Sequence, residues 1–295
     1  MPARANLSLV STLTRTEHAV QFPKEFCRVL IVLAFACLET CSCDASARNV
    51  GPNSATIPPN QASGYTLVFA DDFNSLAISP NGSGEFNWYN GLWWQPPSPP
   101  SNFNVANSIL TLTWTRGQKP DDTSVTTVSR DGRRYHSWRY GYFEVRMKWN
   151  TVRGAWPAIW MLPVEAANGA ATSAGELDIF EGQGATPHIF YGTVHEWKQQ
   201  RDVRNSKGSN VSKLPAGVDL SQFHSYGALW TPGQVTWYFD NQPLFSAPTY
   251  PVFDTQNYYL IIGSQEGVNW KYGDLEGVSA STINVEVDWV RVWQK

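Results

Sequence analysis

Glu176, Asp178 and Glu181 place three carboxylates within six residues, interleaved with Leu177, Ile179 and Phe180. Paired carboxyl groups flanking a glycosidic bond are the apparatus of sugar-chain hydrolysis, so their positions decide whether this stretch does chemistry. In a strand successive side chains alternate faces: Glu176 and Asp178 share one face, Leu177 and Ile179 the other. Glu181 lies at an odd offset from Glu176, and a regular strand would turn it to the wrong face. One extra residue at Ile179-Phe180, a β-bulge, would bring it back. The three acids would then form a row on an exposed face above an apolar anchor. Four effective strand steps of ~3.3 Å separate the two glutamate Cα atoms by roughly 13 Å. Long side chains leaning together over a curved sheet close such a gap towards the roughly 5–5.5 Å of a retaining pair. Asp178 between them would keep the site negative and oppose ionisation of a second acid. An E-x-D-x-x-E run by itself more often marks the solvated face of an amphipathic strand, so the surrounding elements must decide.

Those elements read as strands joined by Gly, Pro and Asn turns. Leu110, Leu112 and Trp114 alternate with Thr111, Thr113 and Thr115; Phe143, Val145, Met147 and Trp149 alternate with Tyr142, Glu144, Arg146 and Lys148. Val235, Trp237 and Phe239, and later Val285, Val287 and Trp289, repeat the period of two. The fold class this predicts is all-β, an antiparallel β-sandwich. Gly182 to Pro187 reads as the turn after the acidic strand. Folding the chain there puts His195 approximately opposite Glu176, with Tyr191, Thr193 and Trp197 on the same face. His195 is then placed to hydrogen-bond a carboxylate or a sugar hydroxyl. Trp156 and Trp160 share a face, expected to be the cleft, with Ile159 and Met161 towards the core. Glu144 is expected to be a solvated cross-strand acid. The Trp- and Pro-rich segment from Phe86 to Pro100 reads as a loop held stiff by proline, and its aromatics Trp88, Trp93 and Trp94 are candidates for the cleft rim or for simple packing. Gly117 to Arg134 is polar and is expected to be a long surface loop.

The chain also has an organisation at larger scale. Residues 1–47 read as a leader: a basic stretch, an apolar run centred on Val29 to Phe35, and an Ala45-Ser-Ala47 cleavage motif, too short a run for a membrane span. All four cysteines (Cys27, Cys37, Cys41, Cys43) fall in it, so the mature chain is expected to hold no disulfide and no Cys-based metal site. A domain of this size buries enough core without bridges. Residues 48–63 are rich in Pro, Asn, Ser and Ala and read as a linker; residues 64–295 remain as one catalytic domain. A net charge of -3 with no basic block argues against nucleic acid as partner. Fourteen tryptophans exceed what a core needs, and the surplus suits aromatic platforms for sugar rings.

The stretch Glu176-Leu-Asp178-Ile-Phe-Glu181 resembles the signature of glycoside hydrolase family sixteen, in the bulged form of its laminarinases. Leu67 to Phe73 is similar to the family's opening strand; Tyr140 to Met147, Trp156 to Trp160 and Tyr191 to His195 resemble its core strands; His224 to Trp230 and Val287 to Val292 resemble its closing ones. The resemblance implies a curved jelly roll with a cleft along its concave sheet. It implies Glu176 as nucleophile, Glu181 as general acid/base and Asp178 as the residue that orients Glu176. It places Gln265 and Trp270 among the substrate-binding residues, with Gln265 and Glu266 where the family often has an Asn-containing segment. It matches Asp72 and Asp288 to positions that hold a structural calcium in many members; oxygen ligands suit that ion, and no cofactor is required for the chemistry. The expectation is a secreted or periplasmic, monomeric, retaining endo-β-glucanase that acts on a polysaccharide and has no membrane attachment after leader removal. Laminarin-like β-1,3-glucan is favoured. A non-catalytic glucan-binding lectin, a transglycosylase, or a hydrolase of agarose, carrageenan or galactan are the alternatives.

Overall fold

The computed structural model describes residues 58–295 except 168, 170, 207–210, 269–270 and 273–280. The expected leader, its cysteines and Trp270 lie outside the described residues. Among these residues run eighteen strands. They are β1 (Thr66–Asp71), β2 (Ile78–Ser79), β3 (Trp88–Asn90), β4 (Phe103–Ala106), β5 (Ile109–Thr115), β6 (Asp122–Thr126), β7 (Gly141–Trp149), β8 (Ala155–Pro163) and β9 (Ser173–Glu181). There follow β10 (Ile189–Lys198), β11 (Arg201–Asn205), β12 (Val211–Lys213), β13 (His224–Thr231), β14 (Gln234–Phe239), β15 (Gln242–Pro248), β16 (Tyr258–Val268), β17 (Lys271–Tyr272) and β18 (Thr282–Gln294).

Two sheets result. One runs β15-β14-β13-β7-β18-β5-β4, with β1 also against β18; the other runs β11-β10-β9-β8-β16-β6-β3-β2, with β12 on β10 and β17 on β16. The long ladders are antiparallel, and the short β2–β3 contact is parallel. This is the antiparallel sandwich that the period-two patterns predict, consistent with the jelly roll that the resemblance implies. The inner faces meet in one apolar cluster that includes Leu110, Phe143, Val145, Met147, Ile159, Leu177, Ile179, Phe180 and Trp237. Each such side chain contributes about 1.5–3 kcal/mol by leaving water. The acidic strand β9 is therefore anchored from beneath along its length.

Four expectations change. Residues 117–134 are not one surface loop: β6 lies within them, buried along its whole length between β16 and β3. Its Thr and Ser side chains suit a strand, and their hydroxyls find carbonyls, as in Thr123 Oγ1 to Thr113 O at 3.0 Å and Thr126 Oγ1 to Val128 O at 2.8 Å. Gln265 and Glu266, expected in a segment of the substrate site, are ladder residues of β16. Residues 58–63, read as linker, carry a 3-10 turn at Asn60–Ala62 that packs on the outer face of β7, with Ala62 buried beside Tyr142 and Trp293. Gln61 donates to Tyr142 Oη at 2.7 Å. That cover is one reason Glu144 is not solvated. It is 4% exposed, accepts from Tyr142 Oη at 3.2 Å and stands opposite the buried Arg291 in the ladder. Burial pushes its carboxyl up to about 7, against the pull of Tyr142 and Ser225.

Candidate active site

Strand β9 lies between β8 and β10. β10 sets His195 opposite Glu176, Thr193 opposite Asp178 and Tyr191 opposite Glu181. β8 sets Trp160 opposite Asp178 and Ala158 opposite Glu181. Both ladders shift register between Asp178 and Glu181, so β9 holds one residue more than its neighbours there. This is the bulge expected at Ile179-Phe180. Ile179 and Phe180 both enter the core, and Glu176, Asp178 and Glu181 share the opposite face.

The bulge is braced from behind. Trp237, on β14 of the other sheet, donates its indole N–H to the Asp178 carbonyl at 2.8 Å. The indole fits because residue 192 is glycine: a Cβ there would stand 2.3 Å from Trp237 Nε1. A bulge disrupts ladder hydrogen bonds, and a buried carbonyl left unpaired costs roughly 1–3 kcal/mol. The indole offsets that cost from across the sandwich.

Glu176 and Asp178 are buried and Glu181 is half-buried. Trp156 donates its indole N–H to Glu181 Oε1 at 2.9 Å, which aims that carboxylate. His195 bridges two acids: Nε2 is 3.1 Å from Asp178 Oδ2, and Nδ1 is 3.0 Å from Asp202 Oδ2. Of the two roles expected for His195, the carboxylate contact is the one formed, and it uses both ring nitrogens. Burial pushes the Glu176 carboxyl well above the ordinary range; the charges of Asp178 and Glu181 add to this, while His195 and Trp197 oppose it. Burial works against the imidazolium of His195, yet its hydrogen bonds to Asp178 and Asp202 and the charge of Glu176 raise its pKa well above that of free histidine.

Around the acids the same face carries the expected aromatics. Trp160 meets Trp94 edge-on at 6.2 Å between ring centroids, and Trp94 meets Trp93 at 5.2 Å. Trp93 donates to Tyr259 Oη at 3.1 Å. Arg130 holds this loop by its backbone, donating to the carbonyls of Leu92 at 2.9 Å and Trp93 at 3.3 Å, and to that of Gln95. Gln265 is paired with Trp156 on one side and Asp122 on the other, so it extends the row from Trp156 across the sheet.

Asp72 and Asp288 are not brought into this site. Arg291 binds the carboxylate of Asp72, and Arg146 that of Asp288. With a guanidinium on each acid, the donor set does not fit calcium. One cluster among the described residues has metal-like spacing: ligand atoms of Glu176, Asp178 and His195 lie within 4.8 Å of one another. A metal-bound histidine needs a free nitrogen lone pair, and both nitrogens here face carboxylates. The cluster is an array of charges and protons.

Sequence reasoning missed Asp202, Arg130 and Trp237. Asp202 is reached through a two-residue hairpin loop, Gln199-Gln200, with φ values of 48° and 64°. That is the backbone of a tight β-hairpin turn, for which Asn-Gly or Asp-Gly is the usual signal. A second bulge is the other reason: β10 pairs Glu196 with Arg204 but Trp197 with Asp202, leaving Val203 unmatched.

Carboxylates gathered on one face of a β-sandwich strand suit the chemistry of the glycoside hydrolases. Residues 98–291 match the family described as Glycosyl hydrolases family 16, and the chain belongs to that family. It is 32% identical over 237 residues to Endo-1,3-1,4-beta-glycanase EglC of Rhizobium meliloti (strain 1021), covering 68% of this chain and 47% of EglC. It is 28% identical over 255 residues to Beta-glucanase of Rhodothermus marinus, covering 80% of this chain and 87% of that one. The X-ray structure of the laminarinase from Rhodothermus marinus is similar with a TM-score of 0.58 at 25% identity, over 78% of this chain and 97% of that one. The chain therefore spans about half the length of EglC and most of the length of the Rhodothermus marinus relatives.

Proposed function

We propose that this protein is an exported, endo-acting, retaining β-glucanase that cleaves β-1,3 or mixed β-1,3/1,4 linkages in a polysaccharide. The observation that carries the reading is the bulge, which sets Glu176 and Glu181 on one face of β9 despite their odd offset. In the proposed reaction Glu176 attacks the anomeric carbon while Glu181 protonates the leaving oxygen. Glu181 then takes a proton from water, which hydrolyses the glycosyl-enzyme intermediate. Trp156 aims Glu181 through its indole hydrogen bond. Asp178, within reach of Glu176 and tied to His195, orients the nucleophile and tunes its charge. Trp94, Trp160 and Gln265 line the glucan path, and Trp270 is assigned to it by family resemblance. The names of the relatives, a glycanase of β-1,3-1,4 linkages and a β-glucanase, support the substrate class. Export rests on the leader motif in residues 1–47.

The test is a substrate panel of laminarin, lichenan, agarose and carrageenan with wild type, Glu176→Gln and Glu181→Gln. Laminarin or lichenan should be cut, and each substitution should lower kcat by about 10²–10⁴ or more with an unchanged circular dichroism spectrum. Azide should rescue Glu176→Ala and Glu181→Ala with opposite anomeric products. Either glutamine variant keeping a tenth of wild-type turnover would remove that residue from the mechanism.

A further inference from the structure

Two bulges flank one histidine. On β9 the extra residue at Ile179-Phe180 returns Glu181 to the face of Asp178. On β11 the unmatched Val203, exposed at the sheet edge, does the same for Asp202 and Asn205, which lie three positions apart and both pair with residues on the cleft side of β10. Asn205 stands opposite His195, and Asp202 stands opposite Trp197. The two strands thus offer His195 one carboxylate from each side. Its Nδ1 is 3.0 Å from Asp202 Oδ2 and its Nε2 is 3.1 Å from Asp178 Oδ2. Asn205 Nδ2 donates to the same Asp202 oxygen at 2.6 Å, which fixes the carboxylate.

The chemistry of imidazole decides what this arrangement means. A neutral ring has one N–H and one bare nitrogen, and the bare nitrogen would then face a carboxylate oxygen. Only the imidazolium donates to both sides. We propose that Asp202 is a positioning residue of the reaction: by accepting from Nδ1 it holds His195 as a cation whose Nε2–H is fixed on Asp178, beside Glu176. The inference rests on the assignment of Glu176 as nucleophile.

The consequence falls on Glu176. Three acids share this buried face, and one positive charge among them favours the ionised state that attack requires. The groups around His195 are Glu176 and Asp178 from β9, Asp202 from β11, and Tyr250 ahead of the 3-10 turn Pro251–Asp254. Glu181 acts on Glu176 from farther along the row. Arg204 and Lys198 hold Glu196, which pairs one step out of phase with His195, and Arg204 also lies over the Tyr250 ring, 4.6 Å from its centroid. Neither forms an ion pair with Asp178 or Glu176 among the contacts of the described residues, whereas His195 contacts Asp178 directly. Losing the carboxylate of Asp202 releases the proton of His195 at lower pH and leaves Glu176 harder to ionise.

The test uses the full chain and the variant Asp202→Asn, which keeps the shape and removes the charge. We expect kcat on the accepted glucan to fall at least tenfold, KM to stay within twofold, and the acidic limb of kcat/KM to move to higher pH by about one unit. Asp202→Glu, which restores a carboxylate, should recover part of kcat and move the limb back. A purely structural role for Asp202 would lower the melting temperature and leave the limb in place. In parallel, 15N-histidine spectra of the wild type, with His195 assigned by its absence in His195→Gln, should show both ring nitrogens protonated beyond pH 7, above the ordinary histidine value of about 6.5. That measurement needs no substrate, so it separates this inference from the assignment of glucan as substrate. A neutral His195 at pH 7, or Asp202→Asn with an unmoved acidic limb, overturns the proposal.

Discussion

Burial and the neighbouring acids together outweigh the help His195 and Trp197 give the charge of Glu176, and this has a thermodynamic signature. Its folded-state pKa is raised, by burial first and by Asp178 next, so the folded protein holds the proton more tightly than the unfolded chain. The resulting stabilisation is full below the ordinary Glu value and is lost as pH rises through the folded pKa. Above that, the ionised carboxylate costs stability, and activity gains what the fold loses. Glu176→Gln should therefore raise the melting temperature at pH 8 and change it little at pH 4, with about 1 kcal/mol corresponding to roughly 2–4 °C in a domain of this size. Calorimetry at the two pH values checks this; a lower melting temperature, or an equal gain at both, contradicts the burial argument. Glu144 has the same sign, with its contribution fading as pH rises through about 7. At this scale the acids were legible because strand alternation turns spacing directly into facing, and the odd offset of Glu181 demanded a bulge. His195 was legible for the same reason. Asp202 was not, since its facing depends on a bulge at Val203 that no residue type marks.

Strand β9 takes its shape from an element it never pairs with. The Trp237 indole reaches the Asp178 carbonyl from β14, and the space it uses exists only because position 192 has no side chain. Trp237→Phe leaves the carbonyl without its donor and should cost roughly 1–3 kcal/mol. Gly192→Ala puts a methyl into the indole and should cost about 1–3 kcal/mol by overpacking. Both should lower kcat more than they raise KM, because Asp178 and Glu181 shift relative to Glu176 while the Trp94–Trp160 wall stays. Urea unfolding with steady-state kinetics reads both quantities; a variant destabilised as stated but with wild-type kcat would show that the indole braces the fold and not the site. The elements legible in the sequence are the apolar-alternating ones, β5, β7, β14 and β18. Strand β6 was hidden because Asp122-Thr-Ser-Val-Thr126 carries the composition of a loop and becomes a strand only when its hydroxyls find carbonyls inside the sandwich. The β10–β11 hairpin was hidden because Gln199-Gln200 takes a backbone usually reserved for Asn-Gly.

For the whole molecule, the two sheets share one apolar cluster, and the acidic strand β9 is tied to both. Heating should then remove activity and folded signal together. Residual turnover and far-ultraviolet circular dichroism, followed over one temperature series, should give midpoints within about 2 °C, as a two-state domain requires; activity lost well ahead of the fold would show a site that loosens by itself. The architecture was legible as a sandwich, whereas the cover that Asn60–Ala62 lays over β7 was not, because a Pro- and Asn-rich segment gives no sign of what it packs on. The Trp237 contact also bears on how such proteins can be recombined. A chimera that takes its ten-stranded sheet from this chain and its eight-stranded sheet from a relative inherits Glu176, Asp178 and Glu181 intact, yet it receives a shaped gap at Gly192 that the donor must happen to fill. Exchange of halves keeps the bulge braced only when the tryptophan on β14 travels with the acids on β9, so the smallest transferable unit of the proposed site spans both sheets.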